Sequence, residues 1–316
     1  MASPHVTRLT RVGFNSITRS VSNLSIDPVQ AIVFDDTGQY PFNRLQPPVA
    51  GGLYSRLSFT TRLNPSGSSA GAKVPPDGYL LKGCGWKETL VGGGPPATGT
   101  TSATYTATGN PDDLTAVDLT TSMGIEAVTN KNLLQNCSNA LGNVAFRIVA
   151  GQPIMCDWNF DGIMTVPTEG AALTDTLTNG GAAPAAIGGT VKLNEDSLVF
   201  KEITINSGAG NDSPNLSIGA DGGVADPNFT MMNPTISFLV TYPSFTTENY
   251  YTDLAAGTLL PFECAIGSGA GYVISIAGDG YLTDVPRVTD VRGINCARIN
   301  MRMDWATGSP IIISFT

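Results

Sequence analysis

Several stretches of this chain alternate apolar and polar residues with a period of two, and this periodicity constrains the fold more than any other feature. In LYSRLSFTTRL, residues 53–63, leucines and Phe59 alternate with polar residues that include Arg56 and Arg62. The stretches TISFLVTYPS (235–244), IMCDWNFDG (154–162) and CARINMRMDW (296–305) alternate in the same way. Successive side chains of a β-strand point to opposite faces, so each stretch predicts a strand with one buried face.

Helix signals are few, and the composition explains why. Only 14% of the residues are charged, while the chain has 36 glycines and 21 prolines, which favours β structure over helix. Two short helices are predicted, over residues 77–84 in PPDGYLLKGCGW and over 247–256 in TTENYYTDLAAG. In the second helix Thr247 is the predicted N-cap and Gly257 the predicted C-terminal stop.

Two stretches with little to bury divide the chain. Residues 91–113 are rich in Gly, Pro and Thr and read as an insertion with one strand around Tyr105, while residues 167–189 read as a linker. The predicted organisation is an N-terminal arm with the first strands (1–45), a first domain (46–166), the linker, and a second domain (190–316).

The two halves repeat one another in outline. Each runs strand, short helix, strand, strand, turn, strand, and the turns read AGQPI at 150–154 and TGSPI at 307–311. Gly followed two residues later by Pro between alternating strands indicates a hairpin. The order of elements favours a tandem duplication; the alternative is that two unrelated β domains share a weakly specific pattern by chance.

Charge and residue usage argue against most enzymes and against a protein that grips nucleic acid. The formal net charge is −9, which is poorly suited to phosphate contacts. His5 is the only histidine, so a nucleophile–histidine pair has no base in either domain. No secretory signal and no apolar run of membrane length is present in the sequence. We therefore predict no enzyme activity, no cofactor, no metal and no membrane partner.

The five cysteines and the paired carboxylates also have structural interpretations. No CxxC spacing occurs, and Cys84 lies near the end of a predicted helix, where the helix dipole disfavours a thiolate. Reduced, buried thiols are therefore expected. Asp157 and Asp161 share the polar face of one strand; a glycosidase pair is one interpretation, and a solvated or pore-facing surface is the favoured one.

Other acidic and glycine-rich stretches match no specific site. The pairs at 35–36 and 112–113 are adjacent in sequence, so their side chains diverge on a strand. The stretches GAGNDSPN (208–215) and IGADGGVADPN (218–228) do not fit the spacing of an EF-hand calcium loop. GSGAG (267–271) lacks the spacing of a nucleotide-binding loop and is predicted to be a hairpin tip.

With these stretches assembled, the chain resembles the tail tube (major tail) proteins of long-tailed bacteriophages. The resemblance is clearest over residues 50–166, in LLKGCGW, TSATYTATGNPDDLTAVDL and LGNVAFRIVAGQPIMCDWNFDGI. It is looser over 230–316, where LTDVPRVTDVRGINCARINMRMDWATGSPIIISFT is the most similar part.

The resemblance implies a mainly β fold of two tandem β-sandwich or barrel tube domains, each with one short flanking helix. It implies a structural virion protein, assembled in the host cytoplasm, whose stacked rings form a channel for genomic DNA. Two domains per chain suggest a trimeric ring with pseudo-sixfold symmetry, and a hexamer is the alternative. Partners would include tape measure, terminator, and distal tail or baseplate proteins. Acidic residues facing the lumen would repel passing DNA, and residues 91–113 are candidates for contacts between rings.

Two other functions remain open. A distal tail or baseplate hub protein also uses paired tube domains, but it closes a tube and does not polymerise. A carbohydrate-binding β-sandwich adhesin would use exposed aromatic residues such as Tyr250 and Tyr251 to stack on sugars, although their place in a short amphipathic helix favours burial.

Overall fold

A computed structural model shows a mainly β protein with two short α-helices, which confirms the predicted fold class at this level. The structure describes residues 10–30, 33–34, 49–50, 52–67, 73–91, 102–126, 131–176, 182–212, 215–216, 224–241, 249–269, 271–291, 293–305 and 310–316. Among these residues no helix has the length and hydropathy needed to cross a membrane.

The strands are numbered here in chain order. The first twelve are β1 (Arg11–Phe14), β2 (Ile17–Ser20), β3 (Ser22–Gln30), β4 (Val33–Phe34), β5 (Val49–Ala50), β6 (Leu53–Arg62), β7 (Trp86–Val91), β8 (Ser102–Ala107), β9 (Val117–Glu126), β10 (Lys131–Val149), β11 (Met155–Met164) and β12 (Thr168–Ala171). The others are β13 (Thr190–Leu193), β14 (Asp196–Ser197), β15 (Phe200–Asn206), β16 (Ala209–Asp212), β17 (Asn215–Leu216), β18 (Val224–Ala225), β19 (Asn228–Met232), β20 (Thr235–Thr241), β21 (Leu259–Ile266), β22 (Ile274–Leu282), β23 (Arg287–Val291), β24 (Ile294–Met303) and β25 (Ile312–Phe315).

Eight strands pair side by side in an antiparallel layer that we call layer I. Their order is β3-β6-β11-β10-β15-β20-β24-β23. The pairing of β10 with β15 carries this layer from the first half of the chain into the second. The 19-residue β10 also extends beyond layer I, where its first residues pair with β9 and β12, and β9 in turn pairs with the β1–β2 hairpin.

A second layer, layer II, follows the order β7-β8-β25-β22-β21-β13-β14. It also crosses between the halves, through the pairing of β8 with β25. Aromatic contacts join the two layers in each half: Trp86 meets Phe146 edge to face at 5.9 Å between ring centroids, and Phe238 lies 5.0 Å from Phe262. The end of β22 also pairs with β24, which joins layer II to layer I and closes the sheet as in a barrel. The core lies between two layers that are each continuous across the chain.

Both predicted helices form, each directly after a long strand of layer I. Helix α1 (Gly78–Gly83) buries Leu80 and Leu81. Helix α2 (Tyr250–Ala256) ends at Gly257, whose φ of 62° is the left-handed conformation that a C-terminal glycine provides. The N-cap differs from the prediction: the Asn249 side chain accepts a hydrogen bond from the Thr252 N–H, and Thr247 lies outside the described residues.

The strand pairings align the two halves differently from the turns AGQPI and TGSPI, because β24, and not β25, corresponds to β11. β24 pairs with β20 as β11 pairs with β6, so Ile299 opposite Phe238 matches Trp158 opposite Phe59. Three further antiparallel pairs of the second half occupy the same places in its order of pairing as pairs of the first half. They are β23–β24 for β10–β11, β15–β20 for β3–β6, and β21–β22 for β7–β8. The tandem duplication stays a prediction, and this common order of pairing supports it.

The prediction of a hairpin at TGSPI was wrong. AGQPI does join two paired strands, β10 and β11. The strands flanking TGSPI, by contrast, lie in different layers: β25 pairs with β22 and β8, and β24 with β20, β22 and β23. Gly and Pro indicate that the chain turns, but they do not indicate which strand the following residues pair with. Ile311 and Ile313 are buried, which suits the position of β25 between two other strands of layer II.

The strand predicted around Tyr105 is confirmed as β8, whereas the stretch predicted as a linker contains a strand that was not predicted. In the predicted insertion 91–113, β8 lies between β7 and β25 and buries Ala103, Tyr105 and Ala107, so this part belongs to the core. In the predicted linker, β12 pairs with β10. The pairing uses backbone hydrogen bonds, which need no apolar side-chain pattern, so no signal in the sequence indicated it. Residues 92–101 lie outside the described part of the chain. The predicted domain boundaries are otherwise untested.

Candidate assembly interface

The described residues contain no group of three or more His, Cys, Asp or Glu side chains that could hold a metal ion. His5 lies outside them, as do the acidic pair 35–36 and most of the stretch 218–228. GSGAG is the tip of the β21–β22 hairpin, as predicted, with positive φ at Gly267, Gly269 and Gly271.

All five cysteines are free and buried, which confirms the predicted thiols. Burial raises the pKa of the Cys84 and Cys156 thiols well above their ordinary value. It raises the pKa of Cys137 to about 11 and that of Cys264 to about 12. A thiol that stays protonated at neutral pH is a poor nucleophile, so these cysteines pack as small apolar side chains.

We expect the native protein to be nearly inert to a thiol reagent. Titration with Ellman's reagent near pH 8 should release well under one equivalent of thiolate, since all five sulfurs are buried away from the reagent. Unfolding in concentrated guanidinium chloride should then release five equivalents. Rapid reaction of one native thiol would contradict this assignment.

Cys84 illustrates the structural role of these thiols. It follows the last residue of α1, is fully buried, and donates its backbone N–H to the Leu81 carbonyl oxygen at 2.9 Å. We expect Cys84→Ala to assemble as the wild type does and to lose about 1 kcal/mol of unfolding free energy because the core packs less well around alanine. Sedimentation of the variant tests the first expectation, and failure to assemble with the fold intact would assign the thiol a function.

The carboxylates predicted on the polar face of β11 are already engaged by neighbouring strands. The Thr60 hydroxyl donates to Asp157 at 2.7 Å, and Arg56 lies 3.3 Å from Asp161. Partial burial raises the pKa of the Asp161 carboxyl, and the Arg56 charge opposes that shift. Asp113 pairs with Lys87 at 3.0 Å on a separate surface. This arrangement suits a structural polar surface.

The two tyrosines of α2 differ in exposure. Tyr250 is buried at 2% exposure and Tyr251 is 40% exposed, so the pair does not form a joint aromatic platform for a sugar. The expected burial holds for the first tyrosine only.

The open edges of the layers are the most distinctive surface feature. Within the described residues β3 and β23, the outermost strands of layer I, each pair on one side only. The outermost strands of layer II are β7 and β14. The edge strands β3 and β7 belong to the first half of the chain, and β23 and β14 belong to the second.

The β23 edge carries exposed apolar side chains. Val288 is 56% exposed, and Val285 and Ile294 beside this strand are 51% and 44% exposed. Val291 and Ile294 close a two-residue hairpin, so they form the pair that exchanges both backbone hydrogen bonds. Hydrogen-bonded and non-hydrogen-bonded residue pairs alternate along an antiparallel ladder. The backbone N–H groups of Val288 and Asp290 therefore point to the open side of β23, where the carbonyl oxygens of another strand can accept their hydrogen bonds.

The β3 edge is shaped differently. Its pairing with β6 shifts register between Ser22 and Ser25, next to Asn23 at a φ of 54°, and Pro28 removes one backbone donor. Bulges and prolines are devices that limit indiscriminate pairing at sheet edges. The two edges of layer I are therefore unlike, as a head-to-tail contact requires and a twofold contact does not.

Comparisons with known proteins returned no matching family model and no similar curated protein. The sheet edges were missed by reasoning from the sequence because edge position depends on which strands pair. The sparse apolar pattern of RVTDV, residues 287–291, was the available signal for an outer strand.

Proposed function

We propose that this chain is a structural virion protein that polymerises into stacked rings and forms the tail tube of a long-tailed phage. The observation that carries the proposal is the placement of unlike open edges at opposite ends of two layers that each span the chain. Unlike contacts repeated head to tail form a ring when the rotation closes, and closure covers the outermost strands of a layer. The resemblance of the sequence to tail tube proteins supports the same function.

The strand count of layer I suits a ring of three chains. Each chain contributes eight strands to layer I, so three copies joined edge to edge have a wall of twenty-four strands. With about 4.8 Å between strands and a tilt of about 40°, such a wall is about 50 Å across between backbones. Side chains leave a lumen wider than a DNA duplex. A trimer with pseudo-sixfold symmetry is therefore our proposal for the ring.

In the virion such a tube would contact the tape measure protein in its lumen, a terminator at one end and a distal tail or baseplate protein at the other. Electron microscopy of the purified full-length chain tests the proposal: long tubes of repeated rings are expected. Isolated rings that do not stack would indicate the hub function. A monomer that binds on a glycan array and never self-associates would indicate the adhesin.

A further inference from the structure

Arginines are concentrated on one face of the molecule. The outward face of layer I, opposite the core, carries six arginines, and we call it the arginine face: Arg56, Arg62, Arg147, Arg287, Arg298 and Arg302. Four acidic residues share it: Asp27, Asp157, Asp161 and Glu202. Six arginines and four carboxylates of the described residues share this face, so it is positive although the chain has a formal net charge of −9.

Most of these arginines have no acidic partner. Arg56 pairs with Asp161, and Arg298 donates to the Ser237 hydroxyl at 3.4 Å. Among the described residues no carboxylate lies within ion-pair distance of Arg62, Arg147 or Arg302, and all three are exposed. The acidic side chain of Asp157 is occupied by Thr60. The positive charge is therefore available to a ligand.

Two arginines of this face occupy opposite positions on neighbouring strands. Arg287 on β23 lies directly opposite Arg298 on β24 in the register of the pair. Like charges directly opposite across two strands destabilise the pairing, and a bound anion between them removes that cost. This juxtaposition agrees with the charge count, which includes both arginines, in indicating that the face receives negatively charged groups.

The spacing of the arginines suits an extended polyanion better than a small one. Arg62 and Arg147 lie in one cross-strand row, each opposite Met155, about 10 Å apart, and Arg298 and Arg302 lie about 13 Å apart along β24. Serine, threonine and asparagine occupy many of the intervening outward positions. A polar, positively charged surface of this kind is typical of nucleic-acid interfaces, whereas protein interfaces have an apolar centre.

We infer that the arginine face binds the phosphate backbone of double-stranded DNA weakly and without sequence preference. That this face lines the lumen of a tube rests on the proposed function; the binding itself does not. Isolated arginines exchange phosphates readily and contact no base edges, so the duplex slides along the face. A tube lined by this face would attract the duplex weakly, unlike the acidic wall that the sequence predicts, because arginines outnumber carboxylates here.

Fluorescence anisotropy of the full-length chain with a fluorescein-labelled duplex of mixed sequence, over a series of salt concentrations, tests the inference. The triple variant Arg62→Gln, Arg147→Gln, Arg302→Gln should bind at least about tenfold more weakly at low salt. The slope of the logarithm of the association constant against the logarithm of the salt concentration should become shallower by about 0.9 for each phosphate that the variant no longer neutralises. Arg287, on the β23 edge, is left unchanged so that assembly is preserved.

The matched control removes the same charge elsewhere, in Lys82→Gln, Lys131→Gln, Lys192→Gln, and should change the affinity less than about twofold. Equally weakened binding in both triple variants would overturn the inference, because only net charge would then matter. The inference would also be overturned if the arginine variant changed self-association but not duplex binding. If wild-type tubes bound no duplex at low salt, the inference would be overturned while the proposed function would stand. Duplex binding by an arginine face that never forms tubes would support the inference and refute the proposed function.

Discussion

Replacing Val288 with proline should abolish ring and tube formation while leaving the monomer folded. Proline has no backbone N–H, and the N–H of Val288 points to the open side of β23, so the substitution removes a donor for the neighbouring chain and keeps the pairing with β24. The 56% exposure of the Val288 side chain means that the substitution removes little core packing. We expect the concentration needed for assembly to rise at least tenfold. Sedimentation velocity and negative-stain microscopy measure this.

The matched control is Val288→Thr, which keeps the N–H and the β-branched shape and should assemble within about threefold of the wild type. Circular dichroism establishes that both variants are folded. Tubes of Val288→Pro at the wild-type concentration would show that β23 is not a ring contact. Failure of both variants to assemble would assign the contact to the side chain and contradict strand pairing across the edge.

The strands themselves were predictable because their signal is local. In β6 and β11 the alternation of apolar and polar side chains sets which face is buried, and the structure buries Phe59, Trp158 and Phe160 as that pattern requires. The glycine that ends α2 was predictable for the same reason, since a left-handed residue at a helix C-terminus is a local requirement. Mainly β structure with two helices follows from such signals alone.

The partners of the strands were not predictable from local pattern. β10 has a side-chain alternation that any buried strand shares, and nothing in it indicates that its second edge pairs with β15 of the other half. The same holds for β25, which resembles a hairpin partner of β24 but pairs with β8 and β22. The candidate interface depends on these long-range pairings, because an edge strand is one that they leave unpaired on one side.

A buried ion pair was also invisible in the sequence, because its members are far apart in the chain. Arg19 on β2 donates to the Asp77 carboxylate just before α1, and its second terminal nitrogen donates to the Arg62 carbonyl oxygen at 3.1 Å. Asp77 is 0% exposed and Arg19 5% exposed. Burial raises the pKa of the Asp77 carboxyl, and the Arg19 charge opposes that shift. The pair fixes the N-terminal hairpin to the start of the helix.

Asp77→Ala should lower the free energy of unfolding by about 3–5 kcal/mol, because it leaves the Arg19 guanidinium buried without a counter-charge. Urea denaturation followed by tryptophan fluorescence measures this, since Trp86 and Trp158 both lie in the core of the same half.

The double variant Arg19→Met, Asp77→Ala separates the charge effect from the packing effect. Arg19 Nε and Asp77 Oδ2 have no hydrogen-bond partner among the described residues, so the native pair is incompletely satisfied. Removing both charges should therefore recover about 2 kcal/mol or more relative to Asp77→Ala alone. If the double variant is as unstable as the sum of the two single variants, the destabilisation comes from packing and the ion pair contributes nothing. If Asp77→Ala costs less than about 1 kcal/mol, the hairpin is not fixed by this contact, and the β1–β9 pairing alone holds the N-terminal strands in place.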